Sequence, residues 1–466
     1  MNSSVMSTPV TYGLSSRHFR GVYHLEKICW ISNPGTNDRF SGGISMANSQ
    51  KVVVPILAWY GDTELELDFP KSWDVTLCSM RGHDAPSLSD SEIRKAFANP
   101  IGTKTIKELA KGKREVAILF DDLTRATPTA VLIPYVLEEL AAADIPDDNI
   151  RFIAAIGAHG SMNGIDFRKK LGDEVMGRFL VYNHNPYENC TPLGISSQGT
   201  LISINSEFMS CDLKIGIGSI VPHPFGFGGG SKIILPGIAS MDTIDANHTR
   251  LGLSPTVGMA KYEGNIMKQD MEEAARMAGL DVKLDGILNL KRELTALFVG
   301  DPVKEHVAGV KLARKHYATD MVNDADIVVA NCYSKANEMC LAPVVASPLL
   351  SRRGGDMVLI AVTPEGQINH YFDRSFGKNF GGRGWHATLP GGRSRTNLPP
   401  NTKRLTIMAP YSDKTGGDWV AVYNSINWAR TWTEVIQELK GRYGAKARIA
   451  IIPDATIQYF PDASVS

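Results

Sequence analysis

The segment HPFGFGGGSKIILPGIASMDTIDANH, residues 223 to 248, sets two histidines and a lysine around a glycine-dense turn. Ahead of it, Lys214-Ile215-Gly216-Ile217-Gly218-Ser219-Ile220 alternates as a strand does; behind it, Ser240-Met241-Asp242-Thr243-Ile244 opens a helix. The turn therefore joins a strand end to a helix start, where α/β folds gather their ligands. Gly226, Gly228, Gly229 and Gly230 let the backbone approach a ligand closely and turn its N–H groups inward, as an anionic phosphate requires, with Lys232 aimed at the same space. The alternative is a plain flexible glycine loop carrying a surface lysine and histidine.

Outward from this turn the pattern alternates strand and helix. Residues 51–56 read as the first clear strand and 115–120 as a buried one. A helix over 130–143, a strand over 150–156, a helix over 166–179 and a strand over 180–183 follow. A helix over 303–317 opens a second series, with strands at 326–331, 357–362 and 404–408, a helix at 432–443 and a terminal strand at 447–452. Such alternation predicts an α/β fold of two domains with mainly parallel sheets and an active-site cleft between them. The boundaries drawn are an N-terminal extension over 1–46 without sustained periodicity, a first domain over 47–298, a second over 299–446, and a terminal strand and tail over 447–466 that returns to either domain. Met46, directly before the first strand, is a plausible native start. The glycine- and arginine-rich stretch 367–400, with Phe380-Gly381-Gly382-Arg383-Gly384-Trp385, reads as a long mobile excursion.

The 466 residues carry 49 basic and 49 acidic side chains, which leaves no net field for nucleic acid or an anionic membrane. No apolar run approaches the ~20 residues that span a bilayer. The six cysteines are scattered without a CxxC pair, so neither a disulfide framework nor a thiolate zinc site is indicated. Small-molecule chemistry in the cytoplasm is the expectation.

Three turns in the first half place polar residues just past a strand: Asp121-Asp122-Leu123-Thr124-Arg125, Gly157-Ala158-His159-Gly160 and the His223 turn. Strand ends of a parallel sheet share one edge, so these residues converge. Asp122 and Arg125 form a candidate anion-reading pair, the guanidinium offering a fork to a carboxylate; the other reading is an Asx-type cap by Asp122 or Thr124 with Arg125 on the surface. His159 and His223 suit acid/base work near neutrality. A P-loop is disfavoured, because Lys232 is followed by Ile233 rather than Ser or Thr.

Taken together, Asp121-Asp122-Leu123-Thr124-Arg125-Ala126-Thr127-Pro128, Gly157-Ala158-His159, His223 to Lys232 and His248 at its distance from that lysine resemble the nickel-dependent lactate racemases. The resemblance implies a racemase or epimerase of 2-hydroxy acids that uses a nickel-pincer nucleotide, and therefore cofactor-synthesis proteins as partners. It implies that Lys232 carries the covalent link to the cofactor, with Asp122, Thr124, Gly228, Gly229, Gly230 and Ser231 beside it. It also implies that His248 ligates nickel, that His159 and His223 are the acid/base pair, and that Arg125 with Asp122 holds the substrate carboxylate. The spacing from His223 to Lys232 is one residue shorter than the family's commonest, and Tyr333-Ser334-Lys335-Ala336-Asn337-Glu338 departs from the family's substrate-contacting segment. The expected substrate is accordingly a 2-hydroxy acid other than lactate, with Lys335 or an arginine of the stretch 367–400 as a second carboxylate or hydroxyl contact. A non-catalytic or phosphate-binding homologue that holds a nucleotide or metabolite at the glycine loop is the alternative.

Overall fold

A computed structural model describes residues 49–367, 398–417, 419–421 and 423–463. The expected N-terminal extension and nearly all of the expected glycine-arginine excursion lie outside the described residues.

Two six-stranded sheets organise the protein. The first runs, edge to edge, Leu294–Gly300, Val282–Leu288, Leu213–Ser219, Val116–Phe120, Ile150–Ala154 and Leu180–Asn183. Every pairing in it is parallel except that between the first two strands. Val116–Phe120 is buried along its whole length, as the centre of a sheet covered on both faces requires. In Leu213–Ser219 the two faces differ. Ile215 and Ile217 enter the main core, whereas a Cβ on Gly216 or Gly218 would lie within about 3.1 Å of Ile233 or the Lys283 side chain. That glycine face is what lets the segment carrying Lys232 lie flat on the strand.

The second sheet is parallel throughout and runs Ile426–Ala429, Thr402–Met408, Gly355–Ile360, Ile327–Asn331, Arg448–Ile452 and Asp74–Leu77. The mainly parallel α/β class read from the sequence is thus the observed one. The domain boundaries require correction. Of the two homes left open for the terminal strand, Arg448–Ile452 takes the second sheet, inserting between Ile327–Asn331 and Asp74–Leu77, the latter in the stretch assigned to the first domain. The hairpin Ser49–Ile56/Thr63–Pro70 likewise packs its apolar residues Val54, Ile56, Leu67 and Phe69 against the second sheet, although it falls in the stretch assigned to the first domain. Strand pairing is long-range, and nothing local in Asp74–Leu77 or Arg448–Ile452 names its partner.

Local signals otherwise held, with two adjustments. The single helix expected over 166–179 is two, Gly164–Leu171 and Asp173–Arg178, broken at Gly172, whose φ of 87° a helix cannot accommodate. Asn163 and Asp166 close a capping box at the first of them. The helix after the glycine turn, Met241–Asp245, is capped by Ser240 and widens into the π-helical turn Ala246–Leu251, which carries His248. Such turns recur at functional sites because they re-aim a side chain that a regular helix would bury elsewhere. Among the described residues no helix is long and apolar enough to cross a membrane.

Candidate active site

Phe120 pairs in register with Ala154 and Ile217, so the segments following all three strands leave the sheet at one edge. There they line a cavity of about 1490 Å³ whose opposite wall comes from residues following the strands of the second sheet. Asp122, Arg125, His159, His223, Gly228, Gly229, Lys232, His248 and Lys335, all singled out in the sequence, line this one space. Thr124, Gly230 and Ser231 do not reach it and lie behind the wall.

His159 is held by Asp122, whose Oδ2 lies 2.7 Å from the ring Nδ1. The carboxylate's other oxygen accepts from the Thr124 N–H at 2.8 Å and the Thr124 hydroxyl at 2.5 Å, so an Asx-type turn fixes the carboxylate that fixes the histidine. Burial opposes ionisation of Asp122, but the contacts with His159, Arg125 and Thr124 outweigh it and hold the carboxyl well below the usual carboxylate range. An ionised Asp122 accepts from Nδ1–H and leaves Nε2 of a neutral His159 as a proton acceptor. The turn is tied to the lysine segment by Gly157, which donates from a φ of 55° to the Gly237 carbonyl at 2.9 Å.

His223 is arranged the other way round. Its Nδ1 accepts from the Phe225 N–H at 3.1 Å, which places the proton of a neutral ring on Nε2. Burial, then the positive charges of Lys232, Lys335 and Arg125, press its pKa well below the ordinary value, so the ring is neutral at pH 7. The site thus pairs an imidazole that accepts with one that donates. Phe225 stands between His223 and His248, its ring centroid 5.4 Å from the first and 5.7 Å from the second.

The expected Asp122–Arg125 pair is not made. Asp122 belongs to His159, and Arg125 Nη1 donates instead to Glu338 Oε2 at 2.8 Å and to the Thr124 hydroxyl at 2.6 Å. Glu338, the principal site residue the sequence did not single out, is 2 % exposed and comes from the far wall. Only its place beside Lys335 hinted at it. That segment is held by a turn after the strand Arg448–Ile452: Ser334 N donates to Asp454 Oδ2 at 2.9 Å and Lys335 N to the Thr456 hydroxyl at 3.2 Å. The Lys335 ammonium is buried in the cavity wall without a hydrogen-bond partner among the described residues, and burial followed by Arg125 lowers its pKa to about 8.

The glycine loop serves packing more than a phosphate cradle. Gly230 donates its N–H to Asp285 Oδ2, and its φ of 54° brings its α-carbon against the His306 ring. Gly229, with φ 78°, leaves no room for a Cβ beside Asp285 and Ile220. His306 Nε2 bonds the Gly228 carbonyl at 2.8 Å. Inward-turned N–H groups were expected; the anion they meet is a protein carboxylate. Asp285 is itself paired with Lys283, and Glu305 beside it is raised well above its ordinary pKa, first by burial and then by Asp285. Lys232 projects from this platform, and burial, then Arg125, Lys268 and Lys335, drive its ammonium toward the neutral amine.

Residues 60–260 match the family described as the lactate racemase N-terminal domain. Lactate racemase of Thermoanaerobacterium thermosaccharolyticum is 30% identical over 332 residues, 68% of this chain and 76% of that protein. The chain belongs to the lactate racemase family. It is an isomerase by that membership. Lactate racemase of Lactiplantibacillus plantarum is 27% identical over 403 residues, covering 79% of this chain and 90% of the relative. The fold agrees: the apoprotein structure of the T. thermosaccharolyticum lactate racemase superposes with a TM-score of 0.65 at 23% identity, covering 88% of this chain and 99% of that one. A Thermotoga maritima protein superposes at 0.58 and 16% identity over 76% of this chain and 97% of its own.

Proposed function

We propose that this member of the family racemises or epimerises a 2-hydroxy acid other than lactate, with a nickel-pincer nucleotide attached through Lys232. The observation that carries this reading is that Lys232, His248, His159 and His223, far apart in the chain, line one cavity. The residues fit such a group. Among the described residues no cluster of three or more His, Cys, Asp or Glu is placed to hold a metal ion, so His248 alone suits a metal whose remaining donors arrive on an organic chelate. Burial, which lowers the Lys232 pKa, favours the neutral, nucleophilic amine that an amide link requires. When bound, the group supplies a hydride acceptor and donor for the substrate Cα.

The chain's own residues manage the hydroxyl proton. His159 Nε2, oriented by the Asp122 carboxylate on the other ring nitrogen, takes it from one enantiomer. His223 Nε2–H returns a proton to the oxygen when the other enantiomer forms, and the roles exchange in the reverse direction. Lys335 offers the substrate carboxylate a desolvated cation.

The test is to produce the protein with nickel and the cofactor-synthesis enzymes, and to measure intact mass and the fate of an α-deuterium. The expected result is a mass increment absent from Lys232→Ala, with deuterium retained in the epimerised product. Complete washout of deuterium in every product molecule overturns the reading in favour of simple proton abstraction.

A further inference from the structure

Glu338 turns a site for a short 2-hydroxy acid into one with an acceptor wall. It lies on a kink with φ −130° and ψ 46°, its N–H bonded to the Lys335 carbonyl at 2.8 Å, and its carboxylate lines the cavity from the side opposite His159. Oε2 takes the Arg125 guanidinium at 2.8 Å, while Oε1 lies 3.8 Å from His159 Nε2. The carboxylate therefore stands between the guanidinium and the nitrogen assigned to the substrate hydroxyl. Resting on the racemase reading, we propose that Glu338 determines specificity by accepting a hydrogen bond from a second substrate hydroxyl, at C3, so that the substrate is a 2,3-dihydroxy or more highly hydroxylated acid.

Charge and hydrogen-bonding capacity select among the groups that would meet Glu338. A substrate carboxylate placed on Arg125 would face the Glu338 carboxylate that already neutralises it; Lys335, buried in the same cavity and without a hydrogen-bond partner among the described residues, takes the anion instead. A second carboxylate next to Glu338 is repelled by it. An ammonium is repelled by Arg125 and Lys335, which converge on this space. A methyl group would press apolar surface on an ionised acceptor, which costs free energy with no return. A hydroxyl remains: it is neutral, and it donates to a side chain that, ionised, only accepts. The cavity, at about 1490 Å³, has room for the longer chain beside a nucleotide.

The test compares 2,3-dihydroxypropanoate with lactate, which differ by one hydroxyl, on the cofactor-loaded enzyme. Both kcat/KM and calorimetric affinity are measured for wild type, Glu338→Ala and Glu338→Gln, the last keeping shape should the alanine variant fail to fold. Wild type is expected to favour the dihydroxy acid by at least about 100-fold, since a site built to bond a hydroxyl strongly rejects the analogue lacking it. The preference should shrink at least about tenfold in both variants, read as the ratio of the two acids within each variant. Equal use of the two acids by wild type, or an unchanged ratio in the variants, overturns the role of Glu338. If neither acid is turned over but the binding preference appears in wild type and is lost in the variants, Glu338 keeps its role and the racemase reading fails. If neither acid is turned over and neither is bound in preference, the Glu338 proposal fails.

Discussion

His159 Nδ1 and Asp122 Oδ2 are 2.7 Å apart, and the residue that the sequence pairs with Arg125 as an anion reader instead orients the histidine. Asp122→Asn is therefore expected to lower kcat by about 10²–10⁴-fold, the scale for a misassigned tautomer or lost general base, with KM little changed. The mass increment on Lys232 should survive. Steady-state kinetics and intact mass on the same preparation check both; loss of the increment together with kcat would show that Asp122 serves the cofactor instead.

The four site residues should fail in different ways. Alanine at His159 or His223 should slow both directions of epimerisation while leaving metal and adduct in place. Alanine at His248 should first cost bound nickel, measured by elemental analysis after gel filtration. Alanine at Lys232 should remove the covalent adduct. A His248→Ala variant that retains full nickel would remove this residue from the metal's coordination.

Gly229 has a φ of 78°, and a Cβ there would lie 2.7 Å from Asp285 Oδ2 and 2.9 Å from an Ile220 side-chain carbon. Gly229→Ala combines left-handed strain with that clash and should cost about 1–3 kcal/mol of stability. The adduct yield should fall too, because the platform under Lys232 shifts. Thermal unfolding and intact mass read the two effects.

Glu305 is buried beside Asp285 with its pKa raised, so the folded protein keeps a proton that the unfolded chain releases near pH 4.5. More protons bound in the folded state means that stability falls as pH rises from about 4.5 toward the folded value. Lys268, lowered to about 8 by burial, is charged in both states below that pH and adds no slope there. Glu305→Gln, which cannot ionise, should gain stability over wild type progressively as pH rises above about 4.5, by denaturant titration. A difference independent of pH would show that Glu305 is ionised in the fold.

Much of this was legible locally. Val116–Phe120 declares a buried parallel strand by five apolar residues in a row, Ser240 declares a helix start, and the motif residues from Asp121 to His248 stand in the order and spacing that gave the resemblance to the family. The Gly172 break was missed because one glycine inside an otherwise helical pattern is ordinarily tolerated; only its positive φ ends the helix. Glu338 was missed because an acidic residue in an irregular segment has no pattern that distinguishes a surface carboxylate from one buried against an arginine 213 positions away.

The amino-acid sequence by itself determined the mainly parallel α/β class, the strand-end turns and the set of side chains able to do acid/base and attachment chemistry, because periodicity, capping and residue type act over a few neighbours. Tertiary structure alone decided that Arg448–Ile452 and Asp74–Leu77 complete the second sheet, that the loop N–H of Gly230 meets Asp285, and that Asp122 serves His159 while Arg125 serves Glu338. Each of these depends on which of several chemically adequate partners lies within hydrogen-bonding distance, and that is a property of how distant segments pack.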